Sequence, residues 1–293
     1  MLSLEEAQSR AQDLVSAARR GGADAADTLY VCNASTNVSV RLGELEDVER
    51  SEGEEIGLRV FVGRRSASIS ASDMNPATLG TLVDRAIAMA REAPEDPYAG
   101  LAPEDRLLRK RPPMLDLADE AEPEPAALKQ RALIAEEAAR GVPGITNSEG
   151  GGASSGRSQM ALATSHGFAG AYAGTSHSTW ASVLAGSGSA MQRDHASHSV
   201  RHLEDIDDAE AIGVRAGQRA VARLDPVRIE SGVLPIIFDP RVGSSLIGHL
   251  IGGIVGPAIA RRSSFLLDSL GQALFEAGVT IMDDPLLERG LRS

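Results

Sequence analysis

Apolar residues at Leu4, Ala7, Ala11, Leu14, Val15 and Ala18 recur at helical spacing, so residues 3–20 are predicted to form an amphipathic helix. Ser3 followed three positions later by Glu6 makes a capping-box start, and Gly21-Gly22 supplies the stop. The period then changes from 3.6 to two. Leu29, Val31, Val38 and Val40 alternate with polar residues and predict a strand over 28–41, in which Cys32 reads as a small buried residue. Gly43 turns the chain, residues 44–51 return as a hairpin partner, and two further strands are expected at 55–62 and 66–71 around Gly63-Arg64-Arg65. Asn75-Pro76 opens a second helix with Leu79, Leu82, Val83, Ala86, Ile87 and Ala90 on one face. Helix, strand meander and helix together make an α+β unit.

Proline density rises between residues 94 and 125, which marks a linker. A helix is expected over 125–140, then a Ser/Gly/Thr-rich region to residue 199. Its segments 158–164 and 178–184 alternate small polar with apolar residues, as antiparallel strands with one wet face do. A helix at 207–223 closes this region, and Asp225-Pro226 begins a second linker. Residues 232–238 (Gly-Val-Leu-Pro-Ile-Ile-Phe) read as a buried strand, and Asp239-Pro240 as the cap and first turn of another helix. Gly248, Gly252 and Gly256 fall four apart, predicting close backbone packing along that helix. The expected fold class is therefore α+β. Its N-terminal domain spans 1–102, a Pro-rich linker 103–124, a central domain 125–224, and the incomplete beginning of a C-terminal domain 230–293.

Composition narrows the function classes. The 293 residues carry a formal net charge of −12, and aromatics are only 3%. Such a charge repels phosphate backbones, so no direct nucleic-acid binding is expected. The one dense basic cluster, Arg106, Arg109, Lys110 and Arg111, lies in the Pro-rich linker and reads as a solvated hinge. A single cysteine forbids an intrachain disulfide, and the N-terminus has neither a basic region nor an apolar core of signal type. A cytoplasmic location follows as an expectation. Residues 242–260 hold no formal charge, but their Gly, Ser, His249 and Pro257 favour a buried helix of a soluble core over a membrane span.

Candidate chemistry is sparse. His195, His198 and His202 form an H-x2-H-x3-H array, the one arrangement that suggests a metal site of this chain's own. His166 and His177 read as hydrogen-bonded structural histidines. Gly152-Ala153-Ser154-Ser155-Gly156 matches the nucleophile-elbow spacing, yet strand-like residues follow it where that motif requires a helix. No phosphate-binding glycine loop occurs, and Asp283-Asp284 before Pro285 reads as a turn or cap. His249 sits mid-helix in the glycine-rich apolar run. A helical zinc-peptidase site would need a neighbouring Glu as general base and a second His about one turn on. Leu250, Gly253 and Ile254 occupy those places.

With these residues in view, the chain resembles the TldD/PmbA family, once called modulators of DNA gyrase, and within it the PmbA (TldE) branch. The resemblance rests on Gly57-Leu58-Arg59-Val60-Phe61-Val62 with residues 67–73, on Asp96-Pro97-Tyr98-Ala99-Gly100-Leu101 and on Asn147-Ser148-Glu149-Gly150. It continues through Thr175-Ser176-His177-Ser178, Met191-Gln192-Arg193-Asp194 and residues 263–271. It implies a metallopeptidase pair in which a TldD-like subunit holds zinc through H-E-x-x-x-H and a distant Cys, and a PmbA-like subunit lacks that motif. On this chain the motif falls on His249, with Leu250 and Ile254 replacing its Glu and second His. The resemblance thus implies no catalytic residue and no metal ligand here, with zinc in the partner. The implied partner is a TldD-like subunit in a heterodimer, a homodimer being the other option, and the implied substrates are unfolded or flexible peptides. Family members run on beyond Ser293 through a β-rich domain, so a C-terminal truncation is expected. Two other readings stand beside this one: a regulatory protein-binding module, related to gyrase or an antitoxin, and an independent metal enzyme built on His195, His198 and His202.

Overall fold

A computed structural model describes residues 2–110 and 112–291. Two compact units emerge. Residues up to Pro226, joined by those from Pro285 onward, form the first, and Val227–Asp284 form the second.

The first unit follows one plan twice. α1 (Leu4–Arg20), β1 (Ala25–Arg41), β2 (Glu44–Val62), β3 (Arg65–Ala71) and α2 (Pro76–Glu92) are followed by α3 (Pro125–Arg140), β4 (Ile145–Thr164), β5 (Ala169–Ala185), β6 (Gln192–Val200) and α4 (Ala209–Val221). The six strands form one antiparallel sheet in the order β3-β2-β1-β4-β5-β6, so each αβββα half occupies one side of the central β1–β4 pair. The residues assigned above to separate N-terminal and central domains therefore share a sheet within one compact unit.

Alternation decides which face is covered. Ala26, Tyr30, Cys32, Val38 and Val40 of β1 are buried on the same side as Ile56, Leu58 and Val60 of β2, Ala153, Ala161 and Ala163 of β4, and Ala181, Val183 and Ala185 of β5. All four helices pack on that side. α1 and α2 meet the Tyr30/Ile56/Leu58 cluster, while α3 and α4 cover an alanine-rich cluster around Ala181, Val183 and Ile212. α1 starts as its sequence dictates: the Ser3 hydroxyl accepts from the Glu6 amide, and the Glu6 carboxylate accepts from the Ser3 amide.

Several expectations change. The two strands expected at 44–51 and 55–62 are one 19-residue strand, because Gly53 stays in register opposite Asn33 without a break. The hinge expected in the linker is half anchored: residues 115–119 lie against β5, the Thr175 amide donating to the Leu117 carbonyl at 2.9 Å. Of the basic cluster, Arg111 lies outside the described residues, and Arg106, Arg109 and Lys110 are exposed.

The second unit overturns more. Residues 232–238 form no strand, and Val233 and Ile237 are fully exposed. A lone apolar strand exists only by pairing, and among the described residues nothing pairs with this one. α5 (Pro240–Ile254) begins as expected, with the Asp239 carboxylate accepting from the Arg241 amide and Pro240 at the first position. It is not the buried helix expected: only Gly253 is buried, against Phe265 and Leu266, while Leu246, Ile251 and Ile254 stand exposed. Gly248 and Gly252 meet no neighbouring atom within 4 Å, and Gly256 belongs to a separate short helix, α6 (Gly256–Ala260). Among the described residues no helix is long and apolar enough to cross a membrane.

Candidate functional site

Among the described residues of this unit, no helix packs on the face of the sheet opposite α1–α4. The register brings Asn33, Ser35 and Asn37 of β1, Ser154 and Ser158 of β4, Ser176, Ser178 and Ser182 of β5, and Ser197 and Ser199 of β6 onto it. Among them Ser199 donates to Ser178, Ser182 to the Glu149 carboxylate and Ser158 to the Gly174 carbonyl. Aromatics interrupt them: Phe61 on β2, and Tyr172 and Trp180 on β5. Trp180 lies over Gly152, its cross-strand partner, so closely that a Cβ at Gly152 would fall within its indole ring. The Gly-x-Ser-x-Gly stretch thus lies inside β4, with no turn to project Ser154.

Besides the outer edges of β3 and β6, two described stretches of strand edge lack a sheet neighbour, and the doubled topology makes them equivalent. β3 pairs only with residues 56–62 of β2, leaving 44–55 unpaired on that side. β6 pairs only with residues 177–185 of β5, leaving 169–176. The second stretch is met by the linker at one residue, where the Thr175 amide donates to the Leu117 carbonyl. The first is open: residues 44–53 are all exposed, and a shallow depression of about 310 Å³ lies beside it, lined by Val31, Asn33, Ser35, Ser51, Gly53, Glu54 and Glu55.

Beneath the linker the sheet is polar rather than apolar. Thr175, His177 and Thr179 of β5 are buried on the helix side. Asp119 binds this floor. Its amide donates to Thr175 Oγ1 at 2.8 Å, and its carboxylate accepts from the amides of Leu203 (2.7 Å) and Ala121 (3.0 Å). Burial works against the Asp119 anion, but those amides and the nearby His177 and His202 hold its pKa below the usual carboxylate value. Arg131 of α3 donates to Thr179 Oγ1 at 2.7 Å and to the Asp207 carbonyl. His177, 1% exposed, has Nε2 3.4 Å from Asp119 Oδ2, yet neither ring nitrogen is placed for a hydrogen bond. Burial pulls its pKa below the ordinary histidine value; Asp119 opposes this, while His202 and Arg131 add to it. The hydrogen-bonded histidine expected at 177 is therefore found only at 166, where Nδ1 lies 3.1 Å from the Ala102 carbonyl.

The histidine array does not converge. His195 and His198 are three apart on β6 and point to opposite faces. His195 is exposed beside Asp194; His198 accepts from the Asp207 amide at 3.0 Å; His202, beyond the strand, is buried against the Asp116 carbonyl at 2.9 Å. His249 is exposed on α5, followed by Leu250, Gly253 and Ile254. Among the described residues no group of three or more His, Cys, Asp or Glu side chains could hold a metal ion. The donors present do not fit zinc.

Neither the polar floor nor the open edge was read from the sequence. The signal for the edge was there: residues 44–55 hold seven acidic residues against one arginine. The floor joins residues far apart in the chain and gives no local pattern.

Family models match in three blocks: PmbA/TldA metallopeptidase domain 1 over residues 26–90, its central domain over 118–224 and its C-terminal domain over 231–293. Among proteins of similar sequence, the metalloprotease PmbA of Escherichia coli O157:H7 is 36% identical over 291 residues, covering 99% of this chain and 64% of that protein. The PmbA homolog of Haemophilus influenzae is 30% identical over 258 residues, covering 88% of this chain and 57% of that protein. This chain thus spans less than two thirds of the length of either relative. A crystal structure described as a modulator of DNA gyrase, from Bacteroides thetaiotaomicron, superposes with a TM-score of 0.90 at 25% identity, covering 99% of this chain and 66% of that one. TldE from Thermococcus kodakarensis shares the fold, with a TM-score of 0.61 at 19% identity over 72% of this chain and 47% of that one.

Proposed function

Because this chain belongs to the PmbA/TldD metallopeptidase family, on its PmbA (TldE) branch, we propose that it is a non-catalytic subunit that handles peptide substrates for a zinc-bearing partner. The observation that carries this reading is the content of α5. On the family resemblance His249 falls where the catalytic partner's motif would begin, and the residues actually present after it on α5 are Leu250 and Ile254, in place of a general base and a second imidazole. Neither leucine nor isoleucine can take a proton or bind a metal. The sheet supports the other half of the reading. Its Ser/Gly face and its open strand edge offer main-chain hydrogen bonds and small hydroxyls, which suit an extended peptide of any sequence. Hydrolysis then takes place on the zinc of a TldD-like subunit, in a heterodimer and in a cytoplasmic setting.

Zinc content and unfolded-casein cleavage test this, with the chain alone and mixed with a TldD-like subunit. Cleavage in the mixture that exceeds that of the TldD-like subunit alone, with none by this chain and no stoichiometric zinc in it, is the expected result. Cleavage or bound zinc in this chain alone overturns the proposal.

A further inference from the structure

We infer that the unpaired edge of β2, residues 44–55, is a docking edge for an extended, basic polypeptide segment. The argument starts from the repeated topology. In each half the second strand outruns the third, which leaves the first part of that strand without a neighbour. In the second half the linker meets the end of the vacant stretch at Thr175. The Thr175 amide donates to the Leu117 carbonyl at 2.9 Å, and the Asp119 amide donates to Thr175 Oγ1 at 2.8 Å. A main-chain hydrogen bond from this edge to a passing segment is thus something the fold already makes. In the first half, no described segment plays that part.

Charge selects the occupant. Glu44, Glu46, Asp47, Glu49, Glu52 and Glu55 line the exposed stretch, joined by Glu54, and Arg50 is its one cation. Arg50 is already taken by Glu52 at 2.6 Å. Acidic residues blunt an edge against uncontrolled pairing, and two copies of this edge brought together would set seven acidic residues of each against the other. That repulsion disfavours a second copy of this chain as occupant. A strand carrying Lys or Arg at alternate positions gains both the free main-chain groups and the opposite charge. The depression along Asn33, Ser35 and Gly53 leaves room for its side chains beside the sheet.

This deepens the proposed handling of peptides by naming the edge and the charge of what it takes, and rests on that reading only for calling the bound segment a substrate. Its test needs neither zinc nor cleavage, so its failure is distinguishable from failure of the subunit assignment. The probe is a fluorescein-labelled ten-residue peptide of alternating Lys and Thr, titrated with the full chain and followed by anisotropy. Three comparisons decide: a Glu/Thr peptide, a Lys/Thr peptide N-methylated at alternate amides, and a chain carrying Glu46→Gln, Glu49→Gln and Glu52→Gln. Saturable binding of the Lys/Thr peptide is expected, with at least tenfold loss in all three comparisons. All three substituted side chains are exposed, so the variant should keep its melting temperature, and circular dichroism checks this. Equal binding of the N-methylated peptide would show attraction without strand addition and overturn the inference; no binding of the Lys/Thr peptide would do the same.

Discussion

The two αβββα halves share one topology and fill it with different chemistry. In the first half, Tyr30, Ile56, Leu58, Val60, Leu79, Leu82 and Ile87 hold α1 and α2 off the sheet with large side chains. In the second, the buried residues are mostly alanine, and α3 and α4 approach until backbone touches side chain. A methyl built at Gly213 of α4 would overlap the Ala135 carbonyl oxygen and lie 2.9 Å from the Ala138 Cβ. At Gly217 it would meet Val142 at 2.5 Å. Gly80 of α2, in the corresponding helix of the first half, has nothing within 4 Å. The same plan is thus stabilised in one half by burying apolar volume and in the other by close helix approach.

The largest test of this contrast is Gly213→Val. Two branched methyls would be driven into α3, and interiors relieve such overlap only by moving backbone, so a loss of about 3 kcal/mol is expected. Denaturant unfolding measures it. A loss below about 1 kcal/mol would mean that α3 and α4 are not in contact at this glycine.

Next in size is a pH effect confined to the second half, whose β5 carries His177 where β2 carries Ile56, Leu58 and Val60. His177 has its folded pKa lowered from 6.5 by burial, so the unfolded chain binds the proton more readily. Stability is therefore whole above about pH 6.5 and falls as pH drops from there towards the lowered value, by at most about 1.4 kcal/mol per pH unit. Denaturant midpoints between pH 7.5 and 5.5 should fall for the natural sequence, and His177→Gln should remove most of that slope. An unchanged slope in the variant would mean that another group senses pH.

How much of this could be read beforehand depended on range. Helix starts are local and were legible: Ser3 with Glu6, Asn75 before Pro76 and Asp239 before Pro240 all cap as their side chains dictate. Strand alternation gave the covered face only in part: Val38 and Val40 are buried, whereas Leu29 and Val31 are out of phase with them and lie on the other face. Pairing was not legible. The union of the halves through β1 and β4 joins residues more than a hundred positions apart, and no local pattern encodes it. The buried floor of Asp119, His177 and Arg131 escaped for the same reason. Glycine spacing misled, because Gly248 and Gly252 looked like packing residues and are open, whereas Gly213 and Gly217, also four apart, carry a true helix contact. Spacing places glycines on one face; only the neighbouring helix gives that face something to meet. The same limit explains residues 232–238, whose apolar run specifies burial without specifying a partner.

The smallest prediction sharpens the contrast from the other side. Gly80→Ala replaces an exposed helical glycine with the best helix former and meets no atom within 4 Å. It should stabilise the chain by up to about 1 kcal/mol, through reduced freedom of the unfolded state and intrinsic helix preference. The rise in denaturant midpoint should leave the dependence on denaturant concentration unchanged, since no buried surface is altered. Gly213→Ala measured alongside should move the midpoint the other way, although the propensity gain is the same. The difference between the two isolates the contact with α3 from helix preference, because preference cancels. Should both alanines stabilise, helix approach would not distinguish the halves, and the alanine-rich core would have to owe its stability to the buried area of β5 and β6 alone.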